Sequence, residues 1–134
     1  QGLETELPFK KAKKPVPVRT AKVLLIESDG QWLWQQRPSS GLWGGLWSLP
    51  IIENEVEFDQ LCQSLKLLST IEPVQISHSF THFTWILNTP IFQVEEDQKE
   101  YLQAELGGEW LTPQKVTQMG IPTAMKKLIS AVNL

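Results

Sequence analysis

The hydrophobic pattern of the first third of the chain predicts a β-hairpin. Val, Leu and Ile crowd the segment 20–28, which is typical of a buried strand. The dipeptide Asp29-Gly30 follows and is a strong signal for a two-residue hairpin turn. Trp32 and Trp34 then alternate with glutamines over 31–37, which predicts a second strand.

Helical spacing replaces this alternation after residue 55. Segment 56–68 is predicted to be an amphipathic helix that packs one face on a sheet, with Phe58, Leu61, Cys62, Leu65 and Leu68 on that face. Thr112 can cap a helix that has Pro113 at its first position, runs through Met119 and is ended by Gly120. A last helix is predicted over 122–132, with Met125, Leu128, Ile129 and Val132 on one face.

Short strands are predicted in the second half of the chain at 74–78, 82–88, 90–95 and 108–111. Strands mixed with two or three helices indicate an α/β or α+β fold with a mixed β-sheet. A length of 134 residues and a hydrophobic content of 41% fit one folded domain.

Residues 1–19 lack apolar periodicity, and their lysines precede Pro15 and Pro17. We expect an interdomain linker at 1–19, which is either solvated or in contact with phosphate, and a folded domain at 20–134. The chain begins at Gln1, which suggests an excised fragment. No segment is long and apolar enough to span a membrane. The net charge of −3 argues against binding nucleic acid by bulk electrostatics, and one cysteine fits a reducing intracellular compartment.

A strand, a Gly-Gly loop and a helix in succession resemble the layout of Nudix hydrolases. In that family the helix carries glutamates that bind Mg²⁺, because a hard cation prefers several carboxylate oxygens. Counted from Gly45, the first glutamate of the family box falls on Ile51, its Arg-Glu pair on Asp59-Gln60 and its Glu-Glu pair on Gln63-Ser64. We therefore expect the fold without catalytic residues and without a metal site.

Both histidines of the chain fall in the segment His78-Ser79-Phe80-Thr81-His82-Phe83. Two histidines without a third ligand make a poor metal site. The residues alone also allow a hairpin whose aromatic side chains, those of Phe80, Phe83 and Trp85, enter the core while the histidines satisfy hydrogen bonds of the turn.

Four stretches resemble the C-terminal domain of A/G-specific adenine DNA glycosylases of the MutY type. They are QRPSSGLWGGLWSLP at 36–50, HSFTHF at 78–83, GEW at 108–110 and GIPTAMKKL at 120–128. The resemblance covers nearly the whole chain, with Leu49 and Ala124 as departures from the commoner Phe and Pro. It implies a Nudix-like, non-catalytic domain that recognises 8-oxoguanine opposite adenine in duplex DNA during base excision repair.

The resemblance also implies the rest of the protein: an enzyme that flips out and removes adenine, with a 4Fe–4S cluster in an N-terminal catalytic domain that this chain lacks. That domain and the duplex are the expected partners, and a monomer in the bacterial cytoplasm, associated with the nucleoid, is the expected setting. The alternatives are a Nudix hydrolase of oxidised nucleotides and a docking module that does not read the base.

The family pattern places the residue that faces the lesion at Thr81. The expected DNA- and lesion-binding residues are Thr81, Phe80, His82, Ser79 and Arg37. Phe80 either braces the turn or stacks on DNA. Trp43, Gly44, Gly45 and Trp47 are expected to form a loop scaffold in which the tryptophans fold back on the sheet, with contact to DNA or to the catalytic domain as the alternative.

Overall fold

The computed structural model describes residues 16–69 and 71–132. The predicted linker therefore lies outside the described residues up to position 15. The first strand begins at Val18, so Val18 and Arg19 belong to the sheet and were wrongly placed in the linker.

Eight strands and four α-helices make up the described residues. The strands are β1 (Val18–Val23), β2 (Leu25–Ser28), β3 (Gln31–Gln36), β4 (Trp47–Ser48), β5 (Ile51–Ile52), β6 (Ile71–Ser79), β7 (Thr84–Gln93) and β8 (Glu109–Leu111). The helices are α1 (Glu55–Ser64), α2 (Lys99–Leu106), α3 (Pro113–Met119) and α4 (Thr123–Ala131), and a short 3₁₀ helix (Glu96–Gln98) precedes α2.

Strand β7 is the centre of one mixed sheet. It pairs in parallel with β1 and then with β2, and β6 pairs with it antiparallel. The order of the strands across the sheet is β4-β3-β2-β7-β1-β5, and β8 also pairs with β3. The predicted single strand at 20–28 is interrupted at Leu24, whose amide donates to the carbonyl of Pro50 at 2.9 Å instead of to a neighbouring strand.

The predicted first hairpin is confirmed. Ser28 pairs with Gln31, and the two residues between them have positive φ values of 53° at Asp29 and 81° at Gly30, as a two-residue hairpin turn requires. The predicted strands at 82–88 and 90–95 are wrong as separate elements, because β7 continues through Pro90. Proline is tolerated there because β6 is irregular between Ile71 and Val74, opposite this position.

Helices cover both faces of the sheet, so there are two hydrophobic clusters. One lies under α3 and α4 and contains Trp34, Leu87, Met125 and Leu128. The other lies under α1 and α2 and contains Leu24, Phe58, Leu65, Phe92 and Leu102. The mixed sheet and three predicted helices are confirmed, with α3 capped by Thr112 through the amide of Lys115.

One prediction about the helices was wrong, and one helix was missed. Helix α1 ends at Ser64, which leaves Leu68 82% exposed and outside the predicted apolar face. Helix α2 was not predicted. Cys62 is half-buried, and burial followed by the negative charge of Asp59 raises the pKa of its thiol.

Replacing Gly108 with alanine is expected to lower the free energy of unfolding by about 3 kcal/mol. Gly108 has φ +89°, and a Cβ atom there would collide with the carbonyl oxygen of Trp34. Gly30→Ala is the matched control, because its φ is +81° but nothing lies within 4 Å of the new atom. This control is expected to lower the free energy of unfolding by about 1 kcal/mol, with both variants measured by urea titration. Equal losses for the two variants would contradict the collision.

Candidate nucleic-acid interface

A short turn joins β6 to β7 and holds most of the predicted site residues. Ser79 and Thr84 are the last paired residues, and the amide of Phe80 donates to the carbonyl of Phe83 at 2.7 Å. Thr81 and His82 are exposed at the tip of the turn. His82 was predicted to begin a strand and lies in the turn instead.

Aromatic side chains support this turn from inside. The rings of Phe80 and Phe83 stack with centroids 4.6 Å apart, and both lie about 6 Å from the ring of Trp85, at 6.1 and 6.0 Å. Trp85 is only 3% exposed. The expectation that these three aromatic residues enter the core is confirmed for Trp85, whereas Phe80 and Phe83 are half-buried and pack against the core.

The glycine-rich loop between β3 and β4 folds back on the same aromatic residues. Trp43, with φ 56°, places its ring 5.6 Å from that of Trp85 and 6.3 Å from that of Phe80. The amide of Gly45 donates to the carbonyl of Pro38 at 3.0 Å, which closes the loop. A Cβ atom on Gly44 would lie 2.5 Å from the carbonyl oxygen of Ser39, so only glycine fits there.

Trp47 does not lie in this loop but in β4, where its amide donates to the carbonyl of Gly120 at 3.0 Å. Its half-buried side chain packs against the cluster under α3 and α4. Ser79 is exposed on β6, on the sheet face opposite to that of His78 because strand side chains alternate. The structure therefore brings Trp43 to the turn but leaves Ser79 outside the aromatic cluster.

Arg37 lines a cleft of about 540 Å³ that adjoins the turn. Its Nε atom donates to the carbonyl of Leu42 at 3.4 Å, and its side chain is half-buried. Phe83 and Trp85 line the cleft as well, and Arg19 lies with its guanidinium 4.7 Å from the Phe83 ring centroid. Arg19 was missed because the sequence placed it in the linker, although Arg19, Ala21 and Val23 alternate on one face of β1.

Carboxylates in the cleft balance these arginines. Glu53 pairs with Arg19 at 2.6 Å, and Glu57 also lines the cleft. The first glutamate position of the Nudix box is occupied by Ile51 on β5, and the later positions fall on α1. Within residues 16–69 and 71–132, no three His, Cys, Asp or Glu side chains are grouped so that they could hold a metal ion.

The other histidine of the chain, His78, lies on β6 beneath the turn. Its ring centroid is 4.8 Å from that of Phe80 and 6.5 Å from that of Trp43. Its Nδ1 atom is buried and has no hydrogen-bond partner in the described part of the chain, so the expectation that both histidines satisfy hydrogen bonds of the turn is wrong for His78. The sequence signal for this position is the alternation of His78 with Val74 and Ile76, which face α4.

This arrangement of a mixed sheet between helices defines the class of the protein. Residues 21–131 match the family model described as NUDIX domain, and the chain belongs to that family. It is 26% identical over 137 aligned positions to adenine DNA glycosylase of Mus musculus, covering 90% of this chain and 26% of that protein. For the human enzyme the identity is 27%, over 90% of this chain and 25% of that protein. The chain thus spans about a quarter of the length of these relatives.

Solved structures of other proteins have a similar fold. The C-terminal domain of mouse MUTYH, in a crystal structure with human PCNA, matches with a TM-score of 0.57 and 26% identity over 84% of this chain and 85% of that chain. NrtR of Shewanella oneidensis, in complex with a 27mer DNA, matches with a TM-score of 0.60, over 84% of this chain and 58% of that chain. Its 16% identity shows a shared fold alone. None of the helices in the described residues is long and apolar enough to cross a membrane.

Proposed function

We propose that this chain is the lesion-recognition domain of an adenine DNA glycosylase and that it reads 8-oxoguanine opposite adenine in duplex DNA. The observation that carries the proposal is the turn 80–83, which exposes Thr81 and His82 on a base of packed aromatic rings. A recognition contact needs such support, because a side chain must be held within a fraction of an ångström to distinguish two similar bases. The similarity to mammalian adenine DNA glycosylases supports the same reading.

The chemistry of the lesion fits a hydroxyl group at the tip of the turn. Guanine presents a lone pair at N7, whereas 8-oxoguanine presents an N–H donor there and a carbonyl oxygen at C8. The Thr81 hydroxyl can accept a hydrogen bond from the new donor or donate one to the new oxygen. One well-placed contact of this kind discriminates by about 1–3 kcal/mol.

The packing of Phe80 favours a bracing role over stacking on a base. Its ring packs against four aromatic neighbours, so releasing it to stack on DNA would sacrifice those contacts. The neighbours are Trp43, His78, Phe83 and Trp85. We therefore assign the direct contacts to Thr81 and His82, and the shape of the turn to Phe80. Arg37 is the proposed phosphate contact beside the turn, because it is half-buried and lines the adjoining cleft.

Affinity for DNA would come mainly from the rest of the glycosylase. The net charge is −3, and the cleft is lined by two arginines and two glutamates, so this domain supplies little of the electrostatic term that dominates DNA binding. The proposal includes a catalytic part of the protein that holds a 4Fe–4S cluster, because such a cluster needs four cysteines and this chain has one. It also includes a monomeric enzyme that is associated with the bacterial nucleoid.

Two other functions make different predictions. A Nudix hydrolase of oxidised nucleotides would need carboxylates where this chain has Ile51, Gln60 and Gln63. A docking module that does not read the base is favoured by one observation, the complex of the mouse relative with human PCNA. Such a module would bind its partner equally well whatever base the DNA contains.

An amide NMR titration of the 134-residue chain distinguishes base reading from docking, and a pyrophosphate-release assay tests the hydrolase. The ligands are two duplexes that differ only in carrying 8-oxoguanine:A or G:A at one position. We expect lesion-dependent shifts at Thr81 and His82, because those residues are exposed at the tip of the turn. Shifts that are identical for both duplexes and distant from the turn would contradict base reading and favour docking. Release of pyrophosphate from 8-oxo-dGTP with Mg²⁺ would favour the hydrolase.

A further inference from the structure

His78 connects two segments that are far apart in sequence. It is the last inward-facing residue of β6 before the turn, and its ring meets that of Phe80 edge to face at 4.8 Å. On its other side is Trp43 of the glycine-rich loop, with centroids 6.5 Å apart and planes at 71°. The imidazole therefore contacts both the base of the turn and the loop that covers it.

The surroundings of this imidazole favour its neutral form. Nδ1 is buried without a hydrogen-bond partner in the described residues, so a proton added there would find no acceptor among them. Burial, and then the positive charge of Lys127 on α4, lower the pKa of His78. Lys127 approaches through its Nζ atom, which lies 3.3 Å from the carbonyl oxygen of Ser77. The neighbours from the turn and the loop, Phe80 and Trp43, are uncharged.

We propose that His78 is a positioning residue that couples the glycine-rich loop to the turn 80–83, and that lesion recognition requires its neutral form. An imidazolium at this place would move to reach water or to separate from Lys127. Either movement loosens the contacts of Trp43 and Phe80, and with them the support of Thr81. The recognition half of this proposal rests on the proposed function, whereas the coupling is a property of the free chain.

The coupling can be tested without DNA by an NMR pH titration of the chain from pH 8 to pH 5. We expect the Trp43 indole N–H and the Phe80 amide to shift with the midpoint of the His78 ring protons, which lies below the ordinary histidine value of about 6.5. His78→Phe keeps an aromatic ring without a titrating group and is expected to abolish these shifts. His82→Asn is the matched control and is expected to keep them. Shifts of Trp43 and Phe80 that follow His82, or no shifts, would overturn the coupling.

The stability of the same variants gives a second readout. The pKa of His78 is lowered in the folded chain, so the unfolded chain binds more protons at acidic pH. The contribution of His78 to the free energy of unfolding is therefore complete above about pH 6.5 and decreases as the pH falls through the folded pKa. The difference in unfolding free energy between the wild type and His78→Phe is therefore expected to shift against the wild type on going from pH 7.5 to pH 5. A difference that stays constant with pH would contradict the neutral state of His78.

Recognition is tested in the complete glycosylase at pH 7.5 and at pH 5.5. We expect the preference for 8-oxoguanine:A over G:A to fall about fivefold at the lower pH in the wild type and to stay constant in His78→Phe. An equal fall in both proteins would overturn the role of His78, because a structural side chain alone does not change a pH profile. If the enzyme had no lesion preference at either pH, the proposed function would fall while the NMR coupling could still stand.

Discussion

Replacing Thr81 with alanine in the complete glycosylase that we propose contains this domain is expected to reduce the preference for 8-oxoguanine:A over G:A about 5- to 150-fold. That range corresponds to a loss of about 1–3 kcal/mol, the worth of one well-placed contact to a base edge. Thr81 is exposed at the tip of the turn, so its truncation leaves no cavity and the fold should be unaffected. Single-turnover rates of adenine release from the two mispairs, measured at one salt concentration, give the preference.

Two further substitutions separate the hydroxyl group from the shape of the side chain. Thr81→Ser keeps the hydroxyl and is expected to retain most of the preference. Thr81→Val keeps the branched shape without the hydroxyl and is expected to behave like alanine. If the rates on both mispairs decreased equally in Thr81→Ala, the residue would support binding in general, and the recognition role would be wrong. A valine variant with full preference would show that the shape of the side chain is sufficient.

Local signals in the sequence predicted those elements whose geometry depends on neighbouring residues. Asp29-Gly30 predicted the first hairpin because few residues adopt two successive positive φ values. Thr112, Pro113 and Gly120 predicted both ends of α3, since an N-cap, a proline in the first turn and a terminal glycine each act within one helical turn. These features needed no knowledge of the rest of the chain.

Helix α2 escaped prediction because distant contacts hold it in place. Only Leu102 is buried among its eight residues, so the apolar pattern is weak. Its position depends on polar contacts with the sheet: the indole of Trp110 donates to the carbonyl of Lys99 at 3.1 Å, and Lys99 Nζ donates to Gln31 at 2.6 Å. Such contacts join residues 11 and 68 positions apart and leave no periodic signal.

The candidate site also combines features that local sequence signals predicted with contacts that they did not predict. The segment 78–83 identified the turn, and the Gly-Gly pair identified a tight loop, but nothing in either stretch indicates that Trp43 packs against His78 and Phe80. The spacing also failed to bring Arg19 to Phe83, because a basic stretch with prolines resembles a linker until the strand begins. Which residues the motifs contain was readable from the sequence, whereas how the motifs meet depends on the sheet that carries them.

Trp85 is the residue on which the turn and the loop both depend, and replacing it with alanine is expected to lower the free energy of unfolding by about 3–5 kcal/mol. Its ring lies within 5.6–6.1 Å of the rings of Trp43, Phe80 and Phe83. Removing it leaves a cavity under both segments, so the turn should lose its order before the rest of the sheet does. Urea unfolding gives the free energy, and amide exchange at Phe80 and Thr81 reports the local loss.

Trp85→Phe is the matched control, because the indole N–H of Trp85 is buried and has no hydrogen-bond partner within the described residues. Phenylalanine removes that unsatisfied donor and keeps an aromatic ring, so the lost packing is partly offset, and the cost should stay below about 1.5 kcal/mol. A loss as large as that of Trp85→Ala would mean that the N–H has a partner, or that the second indole ring carries the packing. A small loss in both variants would show that the turn is held by Phe80 and Phe83 alone.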